Sequence, residues 1–315
     1  MSAQSPLAEA SPGIVARLSG NAYLLLALTS LFWSGNHVIG RAAGGEVPPI
    51  AIALVRWLVP SLLLWPFVRQ KFWADWPTIA ANWKIMLWLA FSGGALFTSL
   101  QYVGLQHTNA LNVSVLNSLV PVLIVAVSAV AFRDRVSRMQ LAGIVVSSLG
   151  VVAIVAHGDL ANLKALSFNE GDLITLFTML VFALYSTSLR LSPKIQPLTM
   201  LFLIAALSTL VTLPFAAWEW VGGFRPQATW LTVGTFAYVS FFPGLFAYAL
   251  WNRGIALIGA NRAGPFLHLI PVFTAVIATT ALGEHLYPFH IVGFALILGG
   301  VYLASRRSKT GAKAA

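Results

Sequence analysis

The sequence predicts an all-α, polytopic membrane protein: ten transmembrane helices as two inverted five-helix repeats, both termini cytoplasmic. Three observations carry that expectation. The chain of 315 residues is 58% hydrophobic and 9% charged, with a mean hydropathy of +0.81. It also reads twice. Displaced by 150 positions without a gap, Gly104 falls on Gly254, Ala110 on Ala260, Leu119 on Leu269 and Pro121 on Pro271. Asp134 falls on Glu284, Gly143 on Gly293, and Gly150–Val151 on Gly300–Val301. Finally, its basic residues fall almost entirely on one side of the membrane.

A helix needs about 20 apolar residues to cross a bilayer. Ten segments meet that need: 20–41, 48–69, 84–106, 109–131, 137–157, 171–190, 196–217, 228–250, 261–282 and 286–304. The first five form one repeat, 20–157, and the last five a second, 171–304. A polar N-terminal tail (1–19), an outer linker (158–170) and a basic C-terminal tail (305–315) complete the chain, leaving no room for a soluble domain. Residues 1–19 carry a single Arg17 and no cleavable signal is expected there. There is no cysteine, so neither a disulfide framework nor thiol chemistry is expected.

The net charge of +10 raises the question of nucleic acid, but its distribution answers it. With the N-terminus in the cytoplasm, fifteen Lys and Arg residues lie inside and only Arg41, Lys164 and Arg225 outside, with Arg56 left within a span. That is a positive-inside signal, and no nucleic-acid partner follows from it.

Five spans per copy is an odd number, so the second copy enters the membrane from the opposite side. Inverted copies of this kind place their shared interface near the bilayer midplane. The match is weaker early in each copy, where a two-residue shift puts Pro49 on Pro197, Pro66–Phe67 on Pro214–Phe215 and Arg56 on Ile204. Asp134 and Glu284 close the fourth and ninth spans at equivalent places. Each either caps the following helix or serves a gate or coupled ion.

Polar side chains within a span face the protein interior, because lipid offers them no partner. In the first span Trp33, Asn36, His37 and Gly40 share one helical face. In the third, Ser99, Tyr102 and Gln106 do so. The fourth holds Asn112, Ser114, Asn117 and Ser118 before Pro121, a proline that would free the carbonyl of Asn117 within a helix. The ninth mirrors it with Pro265, His268 and Pro271. Aromatic stripes run along the sixth span (Thr178, Phe182, Tyr185) and the eighth (Tyr238, Phe241, Leu245, Tyr248, Asn252). Of these, Tyr185, Tyr238 and Phe242 lie deep enough to wall a cavity. Trp57, Trp65, Trp73, Trp76, Trp83, Trp88, Trp218, Trp220 and Trp230 lie near ends or in loops, mostly as an interfacial belt. Arg56 either meets a substrate carboxylate with its planar fork or snorkels and holds backbone carbonyls. Pro121, Pro271, Asp134 and Glu284 are the hinge or gate candidates.

The order of these residues carries a resemblance. Phe32-Trp33-Ser34-Gly35-Asn36 is followed by Pro49 and Arg56, then by Gly104-Leu105-Gln106-His107-Thr108-Asn109-Ala110, Pro121, Asp134, Gly143 and Gly150. The second copy repeats Gly254, Ala260, Pro271, Gly283–Glu284, Gly293 and Gly300. Over residues 20–304 this resembles the drug/metabolite transporter superfamily in its ten-helix form with two EamA-type repeats. Within it, the Trp-rich helices with Asn36–His37 and Asn112…Asn117 resemble the aromatic amino-acid exporter branch. The resemblance implies a structural role for Arg56, since EamA-like repeats with very different substrates often carry an Arg there. One departure is Arg133–Asp134 where the family usually shows Gly–Glu.

None of the nine Asp and Glu residues lies deep in a span. A proton-driven exporter of cationic drugs needs such a carboxylate, which weakens that alternative. Energy coupling is left to a histidine (His37 or His268), to Glu284, or to none. A carrier of sugar phosphates or nucleotide sugars needs several cavity bases, and Arg56 stands alone. No hydrolase or metal motif supports a membrane-embedded enzyme. The sequence therefore predicts an inner-membrane exporter of amino acids, aromatic and other neutral ones, without cofactor or metal. Its expected partners are that substrate and the lipid bilayer; a monomer suffices, with the oligomeric state left open.

Overall fold

The computed structural model describes residues 20–108, 113, 116–156, 159, 169–282 and 287–305. Every regular element among them is helical. The helices are α1 (Ala22–Ala42), α2 (Pro49–Ala81), α3 (Trp83–His107), α4 (Val120–Phe132) and α5 (Arg138–Val155). The second copy supplies α6 (Glu170–Ser188), α7 (Pro197–Val221), α8 (Trp230–Ile258), α9 (Leu269–Leu282) and α10 (Pro288–Ser305). A short turn, Ala260–Ala263, and a 3₁₀ segment, Gly264–His268, lead into α9. Against the ten expected crossings, five helices are long and apolar enough to cross a membrane: α2, α3, Glu170–Leu191, α7 and α8. Val120–Phe132, Arg138–Ile154 and Pro288–Ala304 are apolar but shorter.

Local chemistry sets the helix ends. Ser137 and Gln140 form a capping box at the start of α5, and Asn169 and Asp172 form one at the start of α6. Prolines open α2, α4 and α7, where the missing N–H would have had no partner in any case. Two expectations change here. The second span, read as 48–69, continues as helix to Ala81, because Pro77 does not end it and the chain turns only at Asn82. Pro121 does not interrupt a helix; it stands in the first turn of α4, so no intrahelical bond is lost.

The two copies interlock. α1 packs on α8 and α9 of the other copy, and α6 packs on α3 and α4 in return. α2 lies along its counterpart α7, and α5 along its counterpart α10. The last pair runs antiparallel. A Cβ on Gly143 would lie 2.4 Å from the Ala304 amide and 2.6 Å from the Gly300 carbonyl, and one on Gly150 would lie 2.7 Å from the Gly293 carbonyl. Lipid tails are as apolar as leucine, so close backbone approach of this kind is what holds membrane helices together. His268 also meets its repeat equivalent directly: its Nε2 lies 3.0 Å from the carbonyl of Ser118, 150 residues away.

A second paired feature shapes the interior. α3 and α8 each contain a seven-residue π turn, Ala90–Leu96 and Ser240–Phe246, separated by the same 150 residues. A π turn widens the helix and breaks the i→i−4 ladder, turning backbone carbonyls toward other partners.

Candidate functional site

The carbonyls of the two π turns face a common buried cluster. Pro243 O, from the α8 turn, accepts Trp33 Nε1 at 3.3 Å and Arg56 Nη2 at 3.4 Å. Its repeat equivalent, Gly93 O in the α3 turn, accepts the Tyr248 hydroxyl. Gly94 O accepts Trp57 Nε1 at 3.0 Å. Arg56 is 1% exposed and Asn36 2%. Arg56 Nη1 donates to Tyr102 Oη at 3.1 Å and, more weakly, to Asn36 Oδ1 at 3.5 Å. Tyr102 donates to the same Asn36 oxygen at 2.7 Å, while Asn36 Nδ2 donates to Gln101 Oε1 at 3.3 Å. Rings surround the guanidinium: its carbon lies 5.6 Å from the Tyr248 centroid, 5.9 Å from Trp57 and 6.0 Å from Tyr102, within range of cation–π attraction.

A cavity opens on this cluster from between the copies. Its polar lining is Asn36, Arg56, Gln101 and Asn117, and Trp33, Phe97 and Phe182 are its aromatic walls. Val120, Met179, Leu267 and Ile270 complete it. It measures about 40 Å³, room for about three or four waters at roughly 10–15 Å³ each. A space of that size holds no molecule much larger than a few waters. Behind Phe182, the rings of Tyr185, Tyr248 and Trp251 form a continuous buried stack, with Phe182–Trp251 at 5.6 Å and Tyr185–Tyr248 at 5.8 Å. Tyr185 is held there by a 2.6 Å hydrogen bond to Asn252 Oδ1. Asn252 lines a second, larger crevice with Arg190, Lys194 and Arg253.

The sequence-named residues divide. Trp33, Asn36, Arg56 and Asn117 line the cavity, with Tyr102 hydrogen-bonded directly behind it. Tyr185 stands in the stack. Tyr238 and Phe242 stack on each other at 5.2 Å and pack beside Phe32, outside the lining. Ser99 is half-buried and also lies outside it. His268 is buried away from the cavity, with Nδ1 2.6 Å from Ser147 Oγ and Nε2 on Ser118 O. Pro271 sits in the first turn of α9. Asn112, Glu284 and the His37 side chain lie outside the described residues. Asp134 does not cap α5, whose cap is Ser137. It spans the copies instead, taking both guanidinium nitrogens of Arg190 at 3.0 and 2.6 Å, and Asn261 Nδ2 at 3.3 Å. The Arg190 hydrogen bonds hold the Asp134 carboxyl below its ordinary value despite partial burial.

Sequence reasoning missed Phe97, Gln101, Val120, Met179 and Ile270 in the lining and Trp251 around it, and it named Trp57 and Tyr248 without placing them there. Trp57 is not part of an interfacial belt; it is fully buried. A signal for the site was present in Gly93–Gly94 and Pro243–Gly244, paired helix-weakening dipeptides at the 150-residue offset.

Comparisons with known proteins agree with this architecture. The chain matches the family described as EamA-like transporter family over residues 20–156 and again over 169–306. An uncharacterized transporter of Archaeoglobus fulgidus is 29% identical over 92% of this chain and 99% of its own length. The uncharacterized transporter YyaM of Bacillus subtilis is 26% identical over 90% and 93%. A protein of Streptantibioticus cattleyicolor named "Probable terminal-alkyne amino-acid exporter" is 26% identical over 65% of this chain and 67% of its own. A solved structure at 18% identity shares the fold, with a TM-score of 0.68 over 90% of this chain and 96% of that one. The duplicated match covers nearly the whole chain, and with the interlocked apolar helices it identifies the protein as a membrane protein of the EamA-like transporter family, within the drug/metabolite transporter superfamily.

Proposed function

We propose that the protein is an inner-membrane exporter of amino acids, aromatic and other neutral ones, working by alternating access between its two copies. The observation that carries the reading is the cavity between the copies, with an amide- and guanidinium-lined end and walls of Trp33, Phe97 and Phe182. Amides and a cation suit the polar end of a zwitterion, and flat apolar walls accept varied side chains. A relative named "Probable terminal-alkyne amino-acid exporter" supports the same substrate class. Against a cationic-drug exporter stands the lining itself, which carries Arg56 and no Asp or Glu. The test is flux of labelled phenylalanine, leucine and tryptophan in proteoliposomes, with and without a pH gradient. Saturable flux is expected. Its absence for every amino acid, with movement of lipophilic cations, would select the multidrug alternative.

A further inference from the structure

Arg56 is the one charged group in the cavity lining, and its hydrogen bonding is incomplete. A guanidinium has five N–H donors in a planar fork. Nη1 is engaged by Tyr102 and Asn36, and Nη2 has only the 3.4 Å contact to Pro243 O. Nε is buried and has no hydrogen-bond partner among the described residues. Among the described residues the single ion pair is Arg190–Asp134, which is partly exposed. Among the described residues, the charge of Arg56 is therefore met only by neutral dipoles and ring faces. Burying an ion without a counter-charge is costly, and that cost falls when an anion reaches it.

We propose that Arg56 is the anchor for a substrate carboxylate, taken on its Nε–Nη2 edge, and that the cavity accepts apolar monocarboxylates whether or not they carry an α-amino group. The proposal rests on the transport reading above and adds the group that is recognised. The Nε–Nη2 edge can meet the two oxygens of a carboxylate in parallel, and it is the edge left open, since Nη1 is already engaged. One guanidinium balances one negative charge, which favours a carboxylate over a phosphate dianion. The lining offers an ammonium group only amide oxygens, so the amino group contributes less than the carboxylate. Phe97, Phe182, Leu267 and Ile270 supply the apolar surface for the tail.

The experiment uses the purified full chain and three matched probes: phenylalanine, 3-phenylpropanoate, which lacks the amine, and 2-phenylethylamine, which lacks the carboxylate. Binding is read by equilibrium titration, and competition against labelled phenylalanine is read in proteoliposomes. Phenylalanine and 3-phenylpropanoate should bind within about tenfold of one another, and the amine should neither bind nor compete. Arg56→Lys, which keeps the charge but loses the fork, should weaken both carboxylates about tenfold, and Arg56→Gln more. The wild-type comparison does not depend on either variant folding. An amine that binds as well as the acid, or no effect of either carboxylate at millimolar concentration, overturns the proposal. Amino-acid flux that 3-phenylpropanoate does not inhibit also overturns it and leaves the transport reading standing. Carboxylate binding with no flux of any amino acid overturns the transport reading and leaves the anchor in place.

Discussion

In the first copy the π turn of α3 carries Gly93–Gly94; in the second, the turn of α8 carries Pro243–Gly244 at the same 150-residue offset. Both turns expose a carbonyl to the centre of the molecule. Gly93 O holds a tyrosine hydroxyl, whereas Pro243 O holds an indole N–H and a guanidinium. The partners differ because the copies differ: Tyr248 stands where the first copy has Thr98, and Arg56 stands where the second has Ile204. Duplication thus supplies a symmetric pair of backbone acceptors, and divergence of a few side chains puts all the charge on one of them. A cavity built this way has a polar and an apolar end, as a substrate with a head and a tail requires.

The comparison breaks most sharply at Tyr248→Thr, which gives the second copy the first copy's residue. It removes a fully buried ring that touches Trp33, Trp57, Tyr185 and Arg56. The expected loss is about 3–5 kcal/mol, by analogy with large aromatic truncations, read as a fall in melting temperature in detergent with loss of flux. The next test sets the two turns against each other. Gly94→Ala would push its methyl into the Ser208 side chain, with Oγ at 1.7 Å. Gly244→Ala would push its methyl into backbone, the Arg56 and Val239 carbonyls at 2.6 and 2.8 Å. Each should cost about 1–3 kcal/mol as an overpacked site. A companion Ser208→Gly should restore stability to Gly94→Ala, while no single side-chain truncation should restore it to Gly244→Ala.

Smaller effects are expected where Asp134 joins the copies. Its depressed pKa means that it stabilises the folded state above its ordinary pKa, and that this stabilisation fades as pH falls through the lowered value. Wild type should therefore exceed Asp134→Asn by no more than about 1 kcal/mol near pH 7, the scale of an exposed ion pair. The gap should close as the solution is acidified below about pH 4; a gap that is independent of pH would contradict the pairing. The smallest change compares the ends of the fourth and ninth spans. Arg133 has φ +56° and is the one non-glycine residue in the left-handed region among those described. The second copy has Gly283 at the equivalent position. Arg133→Gly should raise stability by up to about 1 kcal/mol, since glycine meets no Cβ clash there.

The repeat, the helical character of the chain, and Trp33, Asn36, Arg56 and Asn117 in the lining were legible because they depend on residue type at fixed spacing. Trp33 and Asn36 lie on one uninterrupted face of α1, and both reach the site. Thr178, Phe182 and Tyr185 share a stripe on α6, which has no π turn, and all three are buried together. The α8 stripe failed for a specific reason. Tyr238 precedes the π turn and Tyr248 follows it, so the extra residue rotates one away from the other. Tyr238 packs outward beside Phe32 while Tyr248 points to the centre. A count by 3.6 residues per turn assumes a regular helix and does not register that rotation. Gln101 and Phe97 were missed for another reason: they lie on the same regular stretch, Phe97–His107, as Ser99, Tyr102 and Gln106, but beside the stripe those three define. The Asp134 pairing was hidden differently: its partner Arg190 lies 56 residues away, in the other copy.

The glycine contact between α5 and α10 has a consequence for how such a chain is built. Gly143 meets Gly300 and Gly150 meets Gly293, so the two surfaces in contact are the same surface. Each copy carries both halves of the joint, as each subunit does at a two-fold interface. One half-length unit meeting a second, inverted unit would find the matching glycines already in register. The covalent link between the copies therefore adds proximity rather than a new interface, and it frees each half to change its interior while the seam stays the same.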